Sequence, residues 1–197
     1  MASVFPGAID SFTDPLSTSP LNSPSHAGQH QDLNDAVEKV ETYMGLVLVK
    51  SQAIVSGTNT VTDCFTTLYE DYLLVIANLK TASNNSALWV GLNGNPTVKS
   101  NGIYLGIASA TVNGDPQSST NGFLAGFTHT IGASYHVRIS QPRTTAVTTF
   151  SSQWATSSFV GSYSGIEETG VGYTGLVITG GSTISATGTI RVYGYRK

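Results

Sequence analysis

Apolar and polar residues alternate in short runs along most of the chain after residue 45. Residues 135–140 alternate strictly, as expected for a half-exposed strand. Residues 72–77 are continuously apolar, which predicts a central strand buried on both faces. Further short apolar runs lie at 46–49, 53–55, 87–90, 103–105 and 176–178, and in residues 189–193 Ile190 and Val192 alternate with Thr189 and Arg191. The pattern predicts a mainly β chain with an antiparallel, jelly-roll-like β-sandwich over residues 46–197.

Turn signals separate these runs. Asn-Gly pairs occur at Asn93-Gly94, Asn101-Gly102, Asn113-Gly114 and Asn121-Gly122. Both residues tolerate positive φ, so we expect each pair to lie in a short turn.

One helix is predicted, over residues 32–44, with Asp32 or Asn34 as its N-cap and Gly45 as its C-terminal stop. Its apolar positions form a narrow stripe of coiled-coil width: Leu33, Val37, Val40 and Met44. Two interpretations are open, since the stripe can pack against the chain's own domain or form a short oligomeric stalk. The narrow stripe favours the stalk, and hence a short oligomerisation helix over residues 32–45.

Residues 1–31 contain four prolines among Ser, Thr, Asn and Asp. Proline removes backbone donors and forces the preceding residue towards extended geometry, so neither a helix nor a central strand is expected here. The segment is either a disordered tail or an extended arm that orders on a partner.

Composition and charge narrow the function classes. Charged residues make up 11% of the chain and the net charge is −3, so no concentrated basic surface for nucleic acid is expected. No apolar run approaches the roughly 18 residues that span a bilayer. The N-terminus lacks the pattern of a signal peptide, which predicts synthesis in a cytoplasm. The single cysteine, Cys64, lies in an apolar and Thr-rich strand pattern and is expected to be a buried, inert thiol.

Residues 9–15 read Ile-Asp-Ser-Phe-Thr-Asp-Pro, residues 21–30 read Leu-Asn-Ser-Pro-Ser-His-Ala-Gly-Gln-His, and residues 33–38 read Leu-Asn-Asp-Ala-Val-Glu. Together they resemble the proline-rich N-terminal arm and following helix of many tailed-phage virion proteins. Residues 65–76, 88–94 and 188–195 also resemble the opening and the close of phage sandwich domains. The resemblance covers about half of the chain.

The resemblance implies a structural protein located in the virion and built as a homotrimer. The arm would contact other virion proteins of the tail, the baseplate or the capsid. Its candidate anchoring residues are Phe12, Pro15, Leu21, Pro24, His26 and His30. Two functions fit: a tail fibre or baseplate appendage whose sandwich attaches to a host surface glycan or protein, and a head-decoration (cement) protein that stabilises the capsid. The aromatic, glycine-rich loops favour the appendage.

No constellation of catalytic residues is evident, so we expect no enzyme activity and no cofactor. His26 and His30 have a metal-ligand spacing, but Pro24 and Gly28 disfavour a helix there and no third ligand is near, so no metal site is predicted. Three copies meeting on an oligomer axis would keep that option open. His129 and His136 are interpreted as surface or packing residues. Glu167 and Glu168 are adjacent and are interpreted as part of a solvated loop rather than a catalytic pair.

Aromatic side chains are the candidate receptor contacts, because they can stack on sugar faces. The candidates are Trp89, Trp154, Tyr163, Tyr173, Tyr193 and Tyr195. Core packing is the better interpretation for Trp89. Trp154 lies among small polar residues and is expected to be exposed, so Trp154 and Tyr163 are the predicted receptor contacts.

Overall fold

The computed structural model describes residues 30–37, 45–93, 98–106, 112–119, 122–168 and 172–196. Apart from one helical segment, the described residues form strands and the connections between them. The strands are β1 (Leu46–Ala53), β2 (Asn59–Val61), β3 (Tyr69–Leu79), β4 (Ala87–Leu92), β5 (Val98–Gly106), β6 (Val112–Ser119), β7 (Phe123–Phe127), β8 (Ala133–Ser140), β9 (Thr148–Ala155), β10 (Phe159–Glu167), β11 (Leu176–Gly180) and β12 (Thr189–Arg196).

The strand pairing follows a jelly roll. β1 pairs with β12, β2 with β11, β3 with β8 and β4 with β7, all antiparallel, so four early strands pair in reverse order with four later ones. The first sheet contains the order β1-β12-β3-β8 and the second has the order β2-β11-β4-β7. A long hairpin rolled in this way gives two sheets that bury one face each. The predicted mainly β, jelly-roll-like sandwich is confirmed.

Two additional hairpins widen the first sheet. β9 pairs with β8 and β10, and β5 pairs with β10 and β6, which extends the order to β1-β12-β3-β8-β9-β10-β5-β6. The second sheet keeps four strands. The outer face of the eight-stranded sheet is therefore much broader than a four-stranded jelly-roll sheet would present.

The core lies between the sheets and is built by strict alternation. In β8 and β9 every second residue is buried, as a period of two requires. Phe123 of β7 stacks on Phe150 of β9 with ring centroids 5.1 Å apart. Such aromatic contacts between the sheets add to the apolar area that the sandwich removes from water.

The apolar run 72–77 lies in β3, between β12 and β8. Tyr72, Leu74 and Ile76 are fully buried, but Leu73 and Val75 are only half-buried on the outer face. The expectation of burial on both faces is therefore wrong. β3 lies in an antiparallel sheet, which packs one face against the core and turns the other towards solvent. The side chains on the solvent face of β3 are therefore only partly covered.

The turn prediction fails for two Asn-Gly pairs. Asn101-Gly102 lies inside β5 and Asn113-Gly114 inside β6, where Ile103 pairs with Gly114. Their cross-strand partners, rather than local turn preference, fix the conformation, because strand propensity depends strongly on context. Asn93 lies in a turn after β4, while Gly94 and Asn121 are outside the described residues.

The described residues 30–37 are all helical, so His30 and Gln31 belong to the helix and neither Asp32 nor Asn34 is its N-cap. Leu33 and Val37 are 51% and 48% exposed within the single chain. Val40 and Met44 lie outside the described residues. Gly45 has a φ of +102°, a conformation that favours glycine.

The sandwich residues Leu46–Tyr195 form one compact unit, and the residues before Leu46 belong to another. Among the described residues, the helical segment 30–37 falls short of the length and apolar character that a membrane-spanning helix needs.

Candidate binding surface

The outer face of the eight-stranded sheet carries a shallow groove of about 310 Å³, here called the outer groove. Alternation along β8, β9 and β10 places most of its side chains on the solvent side of the sheet, while Ser152 and Tyr163 are inward-facing and buried. It is lined by Leu73, His136, Arg138, Ser151, Ser152, Gln153, Ser162, Tyr163, Ser164 and Tyr195.

Strand register arranges the polar side chains of the outer groove in two rows. Arg138 pairs with Ser151, and Ser151 pairs with Ser164. In the neighbouring row, His136 pairs with Gln153, which pairs with Ser162. Directly paired residues on adjacent strands lie about 5 Å apart, so each row presents a series of closely spaced polar groups.

Arg138 forms the wall of the outer groove. Its Nη2 donates to Asp71 Oδ2 at 3.3 Å, and its guanidinium carbon lies 5.5 Å from the centroid of the Tyr195 ring. The carboxylate on one side and the aromatic face on the other restrict the guanidinium before any ligand binds. Binding would therefore cost less conformational entropy than it would for an unrestricted arginine. A guanidinium has five donors, and this one bond to Asp71 leaves most of them for a ligand.

Small polar side chains form the floor of the outer groove. Ser151, Gln153, Ser162 and Ser164 are exposed, and their side chains make no hydrogen bond to the described part of the chain. Hydroxyl and amide groups both donate and accept. The floor can therefore bond a polyhydroxylated molecule without first breaking bonds within the protein.

A second cavity, the loop cleft, lies at the end of the sandwich where β1 joins β2, β3 joins β4 and β11 joins β12. It measures about 660 Å³ and is lined by Gly57, Thr58, Ala82, Ser83, Ser86 and residues 179–184. Gly57 N–H donates to the Ile184 carbonyl at 2.9 Å, and Ala82 N–H donates to the Thr183 carbonyl at 3.0 Å. These bonds tie the connections together, but none of the described residues that line the loop cleft is charged or aromatic.

His129 and Ser157 are brought together, with Ser157 Oγ 3.0 Å from His129 Nε2. Ile131 N–H donates to His129 Nδ1 at 3.3 Å. The contact with Ser157 joins the connection between β7 and β8 to the connection between β9 and β10.

The predicted exposure of Trp154 is wrong. Trp154 is 4% exposed and Tyr163 is 1% exposed; their rings stack with centroids 6.5 Å apart inside the sandwich. Trp154 also meets Phe127 of β7 edge-on at 5.6 Å. The prediction relied on the polar residues near Trp154 in the sequence. In β9 the residues directly before and after Trp154 lie on the opposite face of the sheet. The surface argument for Trp154 and Tyr163 as receptor contacts no longer holds.

The other candidate aromatics separate into two groups. Tyr173 is buried, and Trp89 is half-buried and packs against the core. Tyr195 is 36% exposed in the outer groove, and Tyr193 is half-buried on the same strand. Of the six aromatics proposed from the sequence, Tyr195 alone is both exposed and part of a cavity.

Cys64 is buried, as expected, and its Sγ lies 3.5 Å from the Val61 carbonyl. Burial raises the pKa of the Cys64 thiol from its ordinary value near 9 to about 12. The neutral thiol is unreactive, since the thiolate is the nucleophile.

Glu167 ends β10 and is fully buried, so the expected solvated loop applies to the exposed Glu168 and not to Glu167. Among the residues that the structure describes, no three His, Cys, Asp or Glu side chains could hold a metal ion together. His26 and the arm residues Phe12, Pro15, Leu21 and Pro24 lie outside the described part, and His30 is exposed in the helix.

Comparison with known proteins found no matching family model, curated protein or solved structure. The sequence did not predict the polar floor residues of the outer groove, because the alternation in β9 is weak. Thr148, Phe150, Ser152 and Trp154 alternate with more polar residues in β9. Ser and Thr at inward positions weaken the hydrophobic alternation of β9, so its sequence does not clearly predict a strand.

Proposed function

We propose that the chain is a non-enzymatic structural protein of a tailed-phage particle, a tail fibre or baseplate appendage whose sandwich attaches the particle to a host surface. The observation that carries the proposal is the outer groove, an exposed polar surface on a rigid jelly-roll sheet. Sites on sheets hold their side chains more firmly than sites on loops, which suits repeated recognition of an external ligand.

The N-terminal residues support the attachment part of this proposal. Their resemblance to the arm of phage virion proteins assigns residues 1–31 to an anchor on another virion protein. An arm that orders on its partner loses conformational entropy, but it wraps a large contact area. The sandwich would then remain free to face outward.

The helix supports assembly as an oligomer, and the proposed trimer order rests on the resemblance to phage virion proteins. Leu33 and Val37 are four residues apart, share one helix face and are both about half exposed in the single chain. Packing this stripe against two further copies would remove apolar area from water. Three linked sandwiches would also bind a surface more tightly than one, through effective concentration.

Immunogold electron microscopy of the phage particles tests the proposal, using an antibody raised against the sandwich and particles lacking the gene as the control. We expect gold at the tail or baseplate. Gold over the head would support the head-decoration alternative and contradict the attachment function. Intact particles without gold would contradict the virion assignment itself.

A further inference from the structure

The floor of the outer groove has polar groups that make no side-chain hydrogen bond within the described part of the chain. The side chains of Ser151, Ser162 and Ser164 project from adjacent strands and make no hydrogen bond to the described residues. A ligand with many hydroxyl groups could replace their water on both rows at once. Because paired strands hold the serines in place, little protein freedom would be lost on binding.

The side chains lining the outer groove that can carry a charge near neutral pH are, as far as they are described, basic. Among the described residues, its lining includes the guanidinium of Arg138 and the imidazole of His136, and no carboxylate. Asp71 lies at the side and accepts one bond from Arg138, which orients the guanidinium. The remaining donors of Arg138 match the geometry of a carboxylate, which arginine binds through two parallel bonds.

Tyr195 adds an apolar surface to these polar groups. Its ring is 36% exposed, and Leu73 lies beside it in the lining of the same groove. A pyranose ring has an apolar face as well as hydroxyl edges, so it needs both kinds of contact. The described lining of the loop cleft includes neither an aromatic nor a charged residue, so the cleft matches this chemistry less well.

We infer that the outer groove binds an acidic saccharide, with the sugar carboxylate on Arg138, its hydroxyls on the serine floor and its apolar face against Tyr195. This inference rests on the proposed attachment function and names the ligand class for it. Nucleic acid is a poorer match, because its backbone needs several cations while one arginine and one histidine line the groove.

The test is calorimetric titration of the full-length protein with matched acidic and neutral probes. The probes are tetragalacturonic acid with its neutral methyl ester, and 3′-sialyllactose with lactose. We expect at least one acidic probe to bind on the order of tenfold more tightly than its neutral partner, as charge-assisted bonds to arginine imply. No acidic probe binding below about 10 mM would overturn the inference.

Two variants locate the binding. Arg138→Gln should abolish the preference for the acidic probe, whereas Arg191→Gln, on the same face of β12 but outside the groove, should leave it unchanged. Ser162→Val should weaken both members of a pair, because it fills the floor with a methyl surface that suits a strand. Unchanged binding in Arg138→Gln, or an equal loss in Arg191→Gln, would overturn the assignment.

The outcomes separate this inference from the proposed function. If the protein binds an acidic saccharide but no phage particle is labelled with gold, the inference about the groove stands and the virion assignment is rejected. Gold on the tail without saccharide binding would retain the virion assignment and reject the groove.

Discussion

Trp154 shows how one side chain connects the two sheets. Its indole lies between Phe127 of β7 and Tyr163 of β10, and it is 4% exposed. A residue in this position contributes to stability through packing rather than recognition. The same strand directs Gln153 outward into the groove, so neighbouring residues have separate roles.

We predict that Trp154→Ala lowers the free energy of unfolding by about 3–5 kcal/mol, as expected for removal of a buried large aromatic. Trp154→Phe should cost much less, because it keeps a ring and the indole Nε1 has no hydrogen-bond partner among the described residues. Urea unfolding of both variants measures this, with Gln153→Ala as the exposed control. Equal stability of Trp154→Ala and Gln153→Ala would contradict the buried position.

At the scale of single residues, the sequence predicts burial well where alternation is unambiguous, as in residues 135–140. It also predicts the buried Cys64. It fails at Trp154 and Glu167, because each lies near small polar residues in segments whose strand character is weak in sequence. The register that turns each one inward is set by pairing with strands that are distant in sequence.

The connection into β12 is an element-scale constraint. Gly188 has a φ of +92°, and a Cβ there would lie 2.1 Å from the Ala77 carbonyl oxygen. Only a residue without a side chain can pass the end of β3 this closely. Gly45 has a similar φ of +102°, but a Cβ there would meet no other atom within 4 Å.

We predict that Gly188→Ala destabilises the protein by more than Gly45→Ala. The Gly45 change should cost about 1 kcal/mol from backbone strain alone, and the Gly188 change several kcal/mol because backbone must also move. Thermal unfolding of the two variants makes the comparison. Similar melting temperatures would show that β3 and the connection are farther apart than described.

At the scale of elements, apolar runs predict the positions of β3, β4, β8, β11 and β12. The hairpins β5–β6 and β9–β10 are harder, because they are rich in Ser, Thr, Asn and Gly. The Asn-Gly pairs inside β5 and β6 favour turns locally, yet pairing over the whole hairpin overrides them. The outer groove depends on β9 and β10, so its floor could not be assembled from the sequence.

The stability of the whole molecule at alkaline pH depends on its buried thiol and phenol groups. Burial raises the pKa of the Cys64 thiol to about 12, and burial also raises the pKa values of Tyr72 and Tyr135 above their ordinary range. A raised pKa means that the unfolded state releases its proton first. Stability is therefore fully present below about pH 9 and is lost as the pH rises towards the folded pKa.

We predict that the Cys64 contribution falls by up to about 1.4 kcal/mol per pH unit between pH 9 and 12. Cys64→Ala should be less stable at pH 7 because its packing is poorer, but its stability should decline less steeply above pH 9. Urea unfolding at several pH values measures both slopes. Parallel curves for the two proteins would contradict a buried neutral thiol.

The proposed function gives separate tasks to separate segments: we propose an arm for anchoring, a helix for assembly and a jelly roll for contact with the host. The sequence predicts the sandwich from its alternation, and the pairing of β1–β4 with later strands gives it the jelly-roll order. The arm's task comes from resemblance to phage virion proteins and stays a proposal. The virion role depends on the arm being the attachment point.

Incorporation into particles tests this central claim most directly. Phage lacking the gene would be grown in cells that supply either the full chain or residues 46–197, and purified particles would be probed for the sandwich by quantitative immunoblotting. We predict that the full chain is incorporated and that residues 46–197 fold but remain in the soluble fraction. Incorporation of residues 46–197 at the level of the full chain would contradict the arm as the anchor, and absence of both from the particles would contradict the virion role.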